Sequence, residues 1–225
     1  MRPLSQATLD RVGAPLRLTD LLPGARAGVV IGDGGGSFFA GFRAAGADDG
    51  GPDPLDRYTR QVIPAVIEGL QGSAALGSEA VVVRYPFDDV PPILPMQRLG
   101  LAAGLPAPGP LGVQIHPRFG PWWAYRALLV LRAPLREPAA LASPCAGCPA
   151  PCRPICPGSA VTAAGLEIDR CARHRLADAG QACQLTCVAR SACVVGPEHH
   201  YPAAQLTHHM SASLRSLRKY YGGRS

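Results

Sequence analysis

Apolar residues fall in short, separated blocks along this chain, and their spacing changes from block to block. "AGVVIG" (27–32) is a glycine-bounded run with a β-branched centre and predicts a buried strand. The next block, "DGGGSFFAGFRAAG", places Phe38, Phe39 and Phe42 at helical spacing. "DPLDRYTRQVIPAVIEGL" (53–70) predicts a longer helix with Asp53 as N-cap and Pro54 at the first helical position. Leu55, Tyr58, Val62, Val66 and Leu70 form its expected apolar stripe, and Pro64 predicts a kink. "EAVVVRYPF" (79–87) predicts a second strand, and "PPILPMQRLGLAAGL" a short proline-started helix or loop. "GVQIH" (112–116) and "YRALLVLR" (125–132) predict two further strands, the second long and central. The tail, 202–221, predicts one amphipathic helix with Leu206, Met210, Leu214 and Leu217 apolar, packing at a domain junction.

Composition narrows what these elements can build. The chain has 225 residues, 47% hydrophobic and 17% charged, which suits a globular protein with one core and an appendix, or two modest domains. No run of 18 apolar residues occurs, so no membrane span is expected. The start, "MRPLSQATLDRVGAPL", lacks the apolar core of a secretory signal, and a cytoplasmic location is expected. The net charge of +6 raises the question of nucleic acid. Its cations are scattered, and all but Lys219 are arginine. Only Arg215, Arg218, Lys219 and Arg224 form a basic stretch, so no nucleic-acid partner is expected. The "GDGGG" stretch could cradle a phosphate at a helix start, but it matches neither the Walker pattern nor the full dinucleotide fingerprint. A mobile loop is the expected reading.

The cysteines change the picture most. All eight lie between 145 and 193, as Cys145-x2-Cys148-x3-Cys152-x3-Cys156-Pro157, then Cys171, then Cys183-x3-Cys187-x5-Cys193. Three chemistries compete for them. Disulfides suit an exported protein, zinc favours two separated hooks, and iron–sulfur cubanes need four thiolates around each compact cage. Iron–sulfur fits the burst best. The run resembles the bacterial two-cluster ferredoxin pattern C-x2-C-x2-C-x3-C-P, with x3 replacing x2 in the second gap and Val194 where a ferredoxin has proline. That resemblance implies two [4Fe-4S] clusters by crossover. One would take Cys145, Cys148, Cys152 and Cys193, the other Cys156, Cys171, Cys183 and Cys187.

One further stretch carries candidate chemistry: "IHPRFGPWWAYRALLVL" (115–131), with both tryptophans, a histidine and two arginines. On composition it reads as a hydrophobic cluster capped by a hydrogen-bonded histidine. It resembles the I-H-P-R-F-G-G-W-F-A-I-R segment of the cobalamin-processing family named for methylmalonic aciduria and homocystinuria type C, with Pro121 at the second glycine. The order of the strand and aromatic-rich helix, "DPLD" and "MQRLG" also follows that family, over roughly residues 25–132. The resemblance implies a nitroreductase-like fold and a corrin pocket near Ile115, His116, Pro117, Arg118, Phe119, Gly120 and Trp122, with Gln97 and Arg98 as less secure matches. It lets His116 donate to corrin amides or ligate cobalt, and lets the tryptophans offer flat apolar surface. The cysteine segment stands where that family has its glutathione-handling region, so electrons are expected from clusters. A nitroreductase-like domain followed by a two-cluster module is also similar to epoxyqueuosine reductases and reductive dehalogenases.

The expectation is an α+β chain in three parts. Residues 1–140 form a nitroreductase-like cobalamin domain, 141–198 a ferredoxin-like iron–sulfur module, and 199–225 the helix at their junction. Its expected function is cobalamin reductase-like oxidoreduction, with electrons from an upstream low-potential donor passing through [4Fe-4S] clusters to cobalt. Two alternatives stand beside it: a ferredoxin-like carrier with no corrin, and a cobalamin delivery module whose clusters are structural or sensing.

Overall fold

A computed structural model describes residues 1–72, 81–177 and 182–222. The chain forms two compact units, Met1–Pro106 with Trp123–Leu141, and Ala107–Trp122 with Ala142–Ser225. The division therefore does not follow one cut near residue 140. Residues 107–122, with most of the candidate binding motif, pack with the cysteine segment.

The first unit is built on a four-stranded antiparallel sheet ordered β1-β2-β4-β3, with β1 Arg2–Leu4, β2 Ala27–Gly34, β3 Val82–Arg84 and β4 Trp123–Leu131. The central place expected for the strand near 125–132 is the place β4 takes. Successive side chains of a strand point to opposite faces, and both faces here are covered, so these strands read as continuous apolar runs. On one face Val30, Leu128 and Val130 pack with Leu9, Leu18 and Leu99 from helices α1 (Gln6–Arg11), α2 (Leu18–Leu21) and α5 (Met96–Ala102). On the other, Val29, Ile31, Ala127, Leu129 and Leu131 pack with Ile63 from helix α4 (Pro54–Gly72). Ser5 and Thr8 start α1 reciprocally, Thr8 N donating to Ser5 Oγ (3.3 Å) and Ser5 N to Thr8 Oγ1 (2.9 Å).

Three expectations change here. Helix α4 contains Pro64 and follows Asp53 as foreseen, but it buries Leu55, Thr59 and Ile63, an i, i+4 row beside the expected stripe. Thr59 can be buried because its hydroxyl donates to the Leu55 carbonyl (2.8 Å). "GDGGG" is not a loop throughout: Gly32–Gly34 extend β2 past a bulge at Ile31/Gly32, and Gly36 caps helix α3 (Ser37–Ala44). "GVQIH" forms no strand. It is a folded-back segment with isolated bridges Pro108–Gln114 and His116–Gly120. Residues 79 and 80 of the second expected strand lie outside the described residues.

The second unit holds the hairpin β5 (Val161–Thr162) and β6 (Gly165–Leu166), then helices α6 (Ile168–Ala177), α7 (Ala182–Leu185), α8 (Val188–Ser191) and α9 (Ala203–Tyr221). Helix α9 appears where the tail pattern placed it and packs on α6 and α7 of its own unit. The unit's core joins Leu111, Ile115, Val161 and Ala189 to Cys145, Cys152, Cys156, Cys187 and Cys193. No helix among the described residues is long and apolar enough to cross a membrane.

Candidate functional site

All eight cysteines are free thiols. Turns rather than long elements deliver the first four: Cys148 N donates to Cys145 O (3.3 Å), Cys156 N to Arg153 O (3.3 Å) and Ser159 N to Cys156 O (2.9 Å). Ala150 and Ser159 hold left-handed φ values of 52° and 48°, uncommon for residues with a Cβ, so the burst is wound tighter than an ordinary loop. A Cβ on Gly109 would stand 2.8 Å from Cys145 Sγ. Only glycine lets that backbone reach the sulfur.

The thiols fall into two groups by which of them act on one another. Burial pushes the Cys145 thiol up, and Cys193, Cys148 and Cys152 add to it. Burial and then Cys193 do the same at Cys152, while burial and Cys148 act on Cys193. These four also line one small apolar cavity with Leu111 and Ile115. In the second group burial raises Cys171, with Cys187, Cys156 and Cys183 adding, and burial raises Cys183, with Cys187 and Cys156 adding. In each group burial and neighbouring thiols oppose ionisation at the sulfurs so raised, a situation relieved by a cation among the soft donors. Backbone N–H groups already point at sulfur: Ala150 N donates to Cys148 Sγ (3.4 Å), Val188 to Cys183 and Val195 to Cys193. Among the described residues no three His, Cys, Asp or Glu side chains stand at the spacing of a single-ion site. The thiols are neighbours without forming a ready-made cage for one metal ion.

The motif loop lies in the same unit. His116 N donates to Gly120 O (2.9 Å) and Gly120 N to His116 O (2.8 Å), which closes a tight turn. Inside it His116 Nδ1 accepts from Arg118 N (3.1 Å) and Phe119 N (3.3 Å). A neutral imidazole with Nδ1 as acceptor carries its hydrogen on Nε2. His116 is therefore set to donate from Nε2 and has no free lone pair there for cobalt. Its ring lies 4.8 Å from Phe119, which meets His199 at 4.8 Å and carries the Arg118 guanidinium over its face.

Two left-handed glycines lock this turn to the cysteine segment. A Cβ on Gly120 would stand 1.9 Å from Val195 O, and one on Gly196 2.7 Å from Arg118 O. Trp122 is fully buried, 4.2 Å from the His200 ring and edge-on to Tyr201, and Arg190 stacks over both rings while donating to Pro121 O. The expected flat surface for a macrocycle is thus not supplied by Trp122. Trp123, half-buried, begins β4 in the other unit. Gln97 and Arg98 also belong to that unit, on α5, where Arg98 Nη1 donates to Val12 O (2.6 Å).

Two arginines escaped the sequence pattern. Arg126, on β4, pairs with Asp33 on β2 under the Phe38 ring (4.3 Å), leaving Asp33 Oδ2 and Arg126 Nη2 buried without a partner. Burial raises the Asp33 carboxyl, although Arg126 opposes the shift. An arginine inside an apolar strand was its sole signal. Arg175, on α6, is buried and reaches Cys183 O, Met210 O and Ser213 Oγ.

Neither a family model nor a curated protein matches this sequence at a significant level. Among solved structures, the chain is similar to the crystal structure of a C. elegans B12-trafficking protein CblC, a human MMACHC homologue. The likeness has a TM-score of 0.55 at 16% identity and covers 97% of this chain and 88% of that one. It reaches far beyond residues 25–132 and takes in the cysteine segment as well, so the α+β architecture is of that kind along almost the whole chain.

Proposed function

We propose that this protein binds a cobalamin and delivers electrons to its cobalt from two [4Fe-4S] clusters held by the eight cysteines. The observation that carries the corrin half is the fold likeness to a B12-trafficking protein over nearly the whole chain. The 115–126 sequence supports it independently. His116 contributes a hydrogen-bond donor at Nε2 for a corrin amide, and Arg118 contributes a cation on the same exposed turn. Gly120 and Gly196 hold that turn in place.

The cysteine half rests on donor chemistry. Two groups of four neighbouring thiols, each with one buried member (Cys152 and Cys183) and three half-buried ones, match the ligand demand of two cubanes, whose thiolates sit around a cage wider than one ion. Cys145, Cys148, Cys152 and Cys193 would hold one cluster, and Cys156, Cys171, Cys183 and Cys187 the other. Bound clusters would supply single electrons at potentials reaching about −700 mV. The N–H donors on Cys148, Cys183 and Cys193 would lower the charge on the sulfurs. A second reading, a ferredoxin-like carrier with no corrin, is favoured by the full burial of Trp122.

Chain purified and reconstituted without oxygen tests both halves. It should be brown, with iron and acid-labile sulfide near about eight each per chain. Added aquacobalamin should shift to a tail-detached spectrum, and His116→Ala should weaken binding at least tenfold, ~1.4 kcal/mol. Stoichiometric zinc without sulfide sinks the cluster reading. An unaltered aquacobalamin spectrum with filled clusters leaves the carrier reading.

A further inference from the structure

We propose that Arg175 makes the two four-thiol groups electrically unequal, so that Cys156, Cys171, Cys183 and Cys187 hold the more easily reduced of two cubanes. This deepens the iron–sulfur reading above and rests on it. Arg175 is only 7% exposed. Its Nε donates to Cys183 O (2.9 Å), Nη1 to Ser213 Oγ (2.9 Å) and Nη2 to Met210 O (3.1 Å). Gln184 Nε2 in turn donates to the Arg175 carbonyl (2.8 Å). Acceptors on α7 and α9 thus hold each of the three guanidinium nitrogens of this α6 side chain.

All three acceptors are neutral. Among the described residues no carboxylate forms an ion pair with Arg175. A buried cation with neutral partners alone is costly, and proteins normally place an anion beside it. What stands beside it is the second thiol group: the Arg175 charge acts on both Cys171 and Cys183. The first group has an arginine too, Arg153, acting on Cys145 and Cys152. That side chain is exposed. Water and salt screen an exposed charge, while a buried one acts through a low dielectric.

A cubane with four thiolates is anionic and gains one more negative charge on reduction. A fixed cation nearby therefore favours the reduced state and raises the potential. Among the described residues, no buried arginine acts on Cys145, Cys152 or Cys193. The first group is left as the more strongly reducing cluster, and its cavity also contains Ile115, next to His116 in the motif. In electron order, the Arg175 cluster fills first and the Cys145 cluster last.

Redox titration of the reconstituted full chain with dithionite, followed by electron paramagnetic resonance, tests this order. Each cluster accepts one electron and dithionite is oxidised. The unaltered chain should reduce in two separable steps. Arg175→Gln should lower the reduction equilibrium constant of the easier step at least tenfold, 59 mV for one electron. Arg175→Lys, which keeps the charge, should move it far less. Cys148→Ala should retain the easier step and Cys156→Ala the harder one. Both clusters present with unshifted steps in Arg175→Gln overturns the proposal, as does survival of the easier step in Cys156→Ala. If Arg175→Gln takes up no iron at the second group, the two cysteine variants decide the order alone, since both keep Arg175. Full chain lacking iron and acid-labile sulfide sinks the iron–sulfur reading itself.

Discussion

Two single residues show how much of the candidate site depends on backbone shape. Gly120 has φ +59° and no room for a Cβ, which would lie 1.9 Å from Val195 O. Gly120→Ala should cost about 2–4 kcal/mol through left-handed strain plus overpacking, read as a lower urea midpoint. A cost under 1 kcal/mol would mean that the turn and the segment at Val195 do not pack as described. Asp33 makes a different kind of statement. Burial raises its carboxyl in the folded chain, so in acid the folded state keeps a proton that the unfolded state releases near about pH 3.9. The stability this contributes is fully present below that pH and is lost as pH rises through the folded value. Asp33→Asn should flatten this part of the pH–stability curve. Equal slopes in both chains would remove the buried-pair description.

At the level of elements, α4 separates what spacing can tell from what packing decides. Its existence and its N-terminus follow from Asp53-Pro54 and a helical period, because both act locally. Its buried row does not, because Tyr58, Val62 and Ile63 are all apolar enough to face a core. The sheet chose Ile63, which packs with Val29, Leu129 and Leu131. Ile63→Ala should therefore cost about 2–5 kcal/mol and Val62→Ala under half of that, by chemical unfolding. The reverse ranking would restore the stripe first expected. "GVQIH" failed as a strand for a related reason. β-Propensity marks a side chain that fits a half-buried surface, and Ile115 found such a surface among cysteines without a partner strand.

For the whole molecule, the telling feature is that the chain leaves its first unit at residue 107 and returns at 123. A chain cut after Leu141 keeps every strand of the four-stranded sheet but separates residues 107–122 from their packing partners. In the intact chain Trp122 is fully buried against His200 and Tyr201. The fragment should fold, with native-like circular dichroism in the strand region, and its tryptophan emission should shift to the red. Blue emission retained in a folded fragment would show that Trp122 is buried by the sheet unit instead.

Residue order alone determined what local chemistry governs. The strands near 27–32 and 125–132, the helices at 54–72 and 203–221, and a cysteine-organised segment are legible because period, caps and cysteine spacing are properties of neighbours in sequence. Only the resemblance to ferredoxins assigns the eight thiols to two sets, since spacing leaves a lone Cys171 and Cys193 unassigned. Tertiary structure decided which face of α4 is covered and which nitrogen of His116 accepts from the backbone. It also decided that Trp122 packs inward and that Arg126 and Arg175 are buried charges. Each of those depends on groups many residues apart, and burial converts an ordinary arginine or glycine into a determinant only once those distant groups have closed around it.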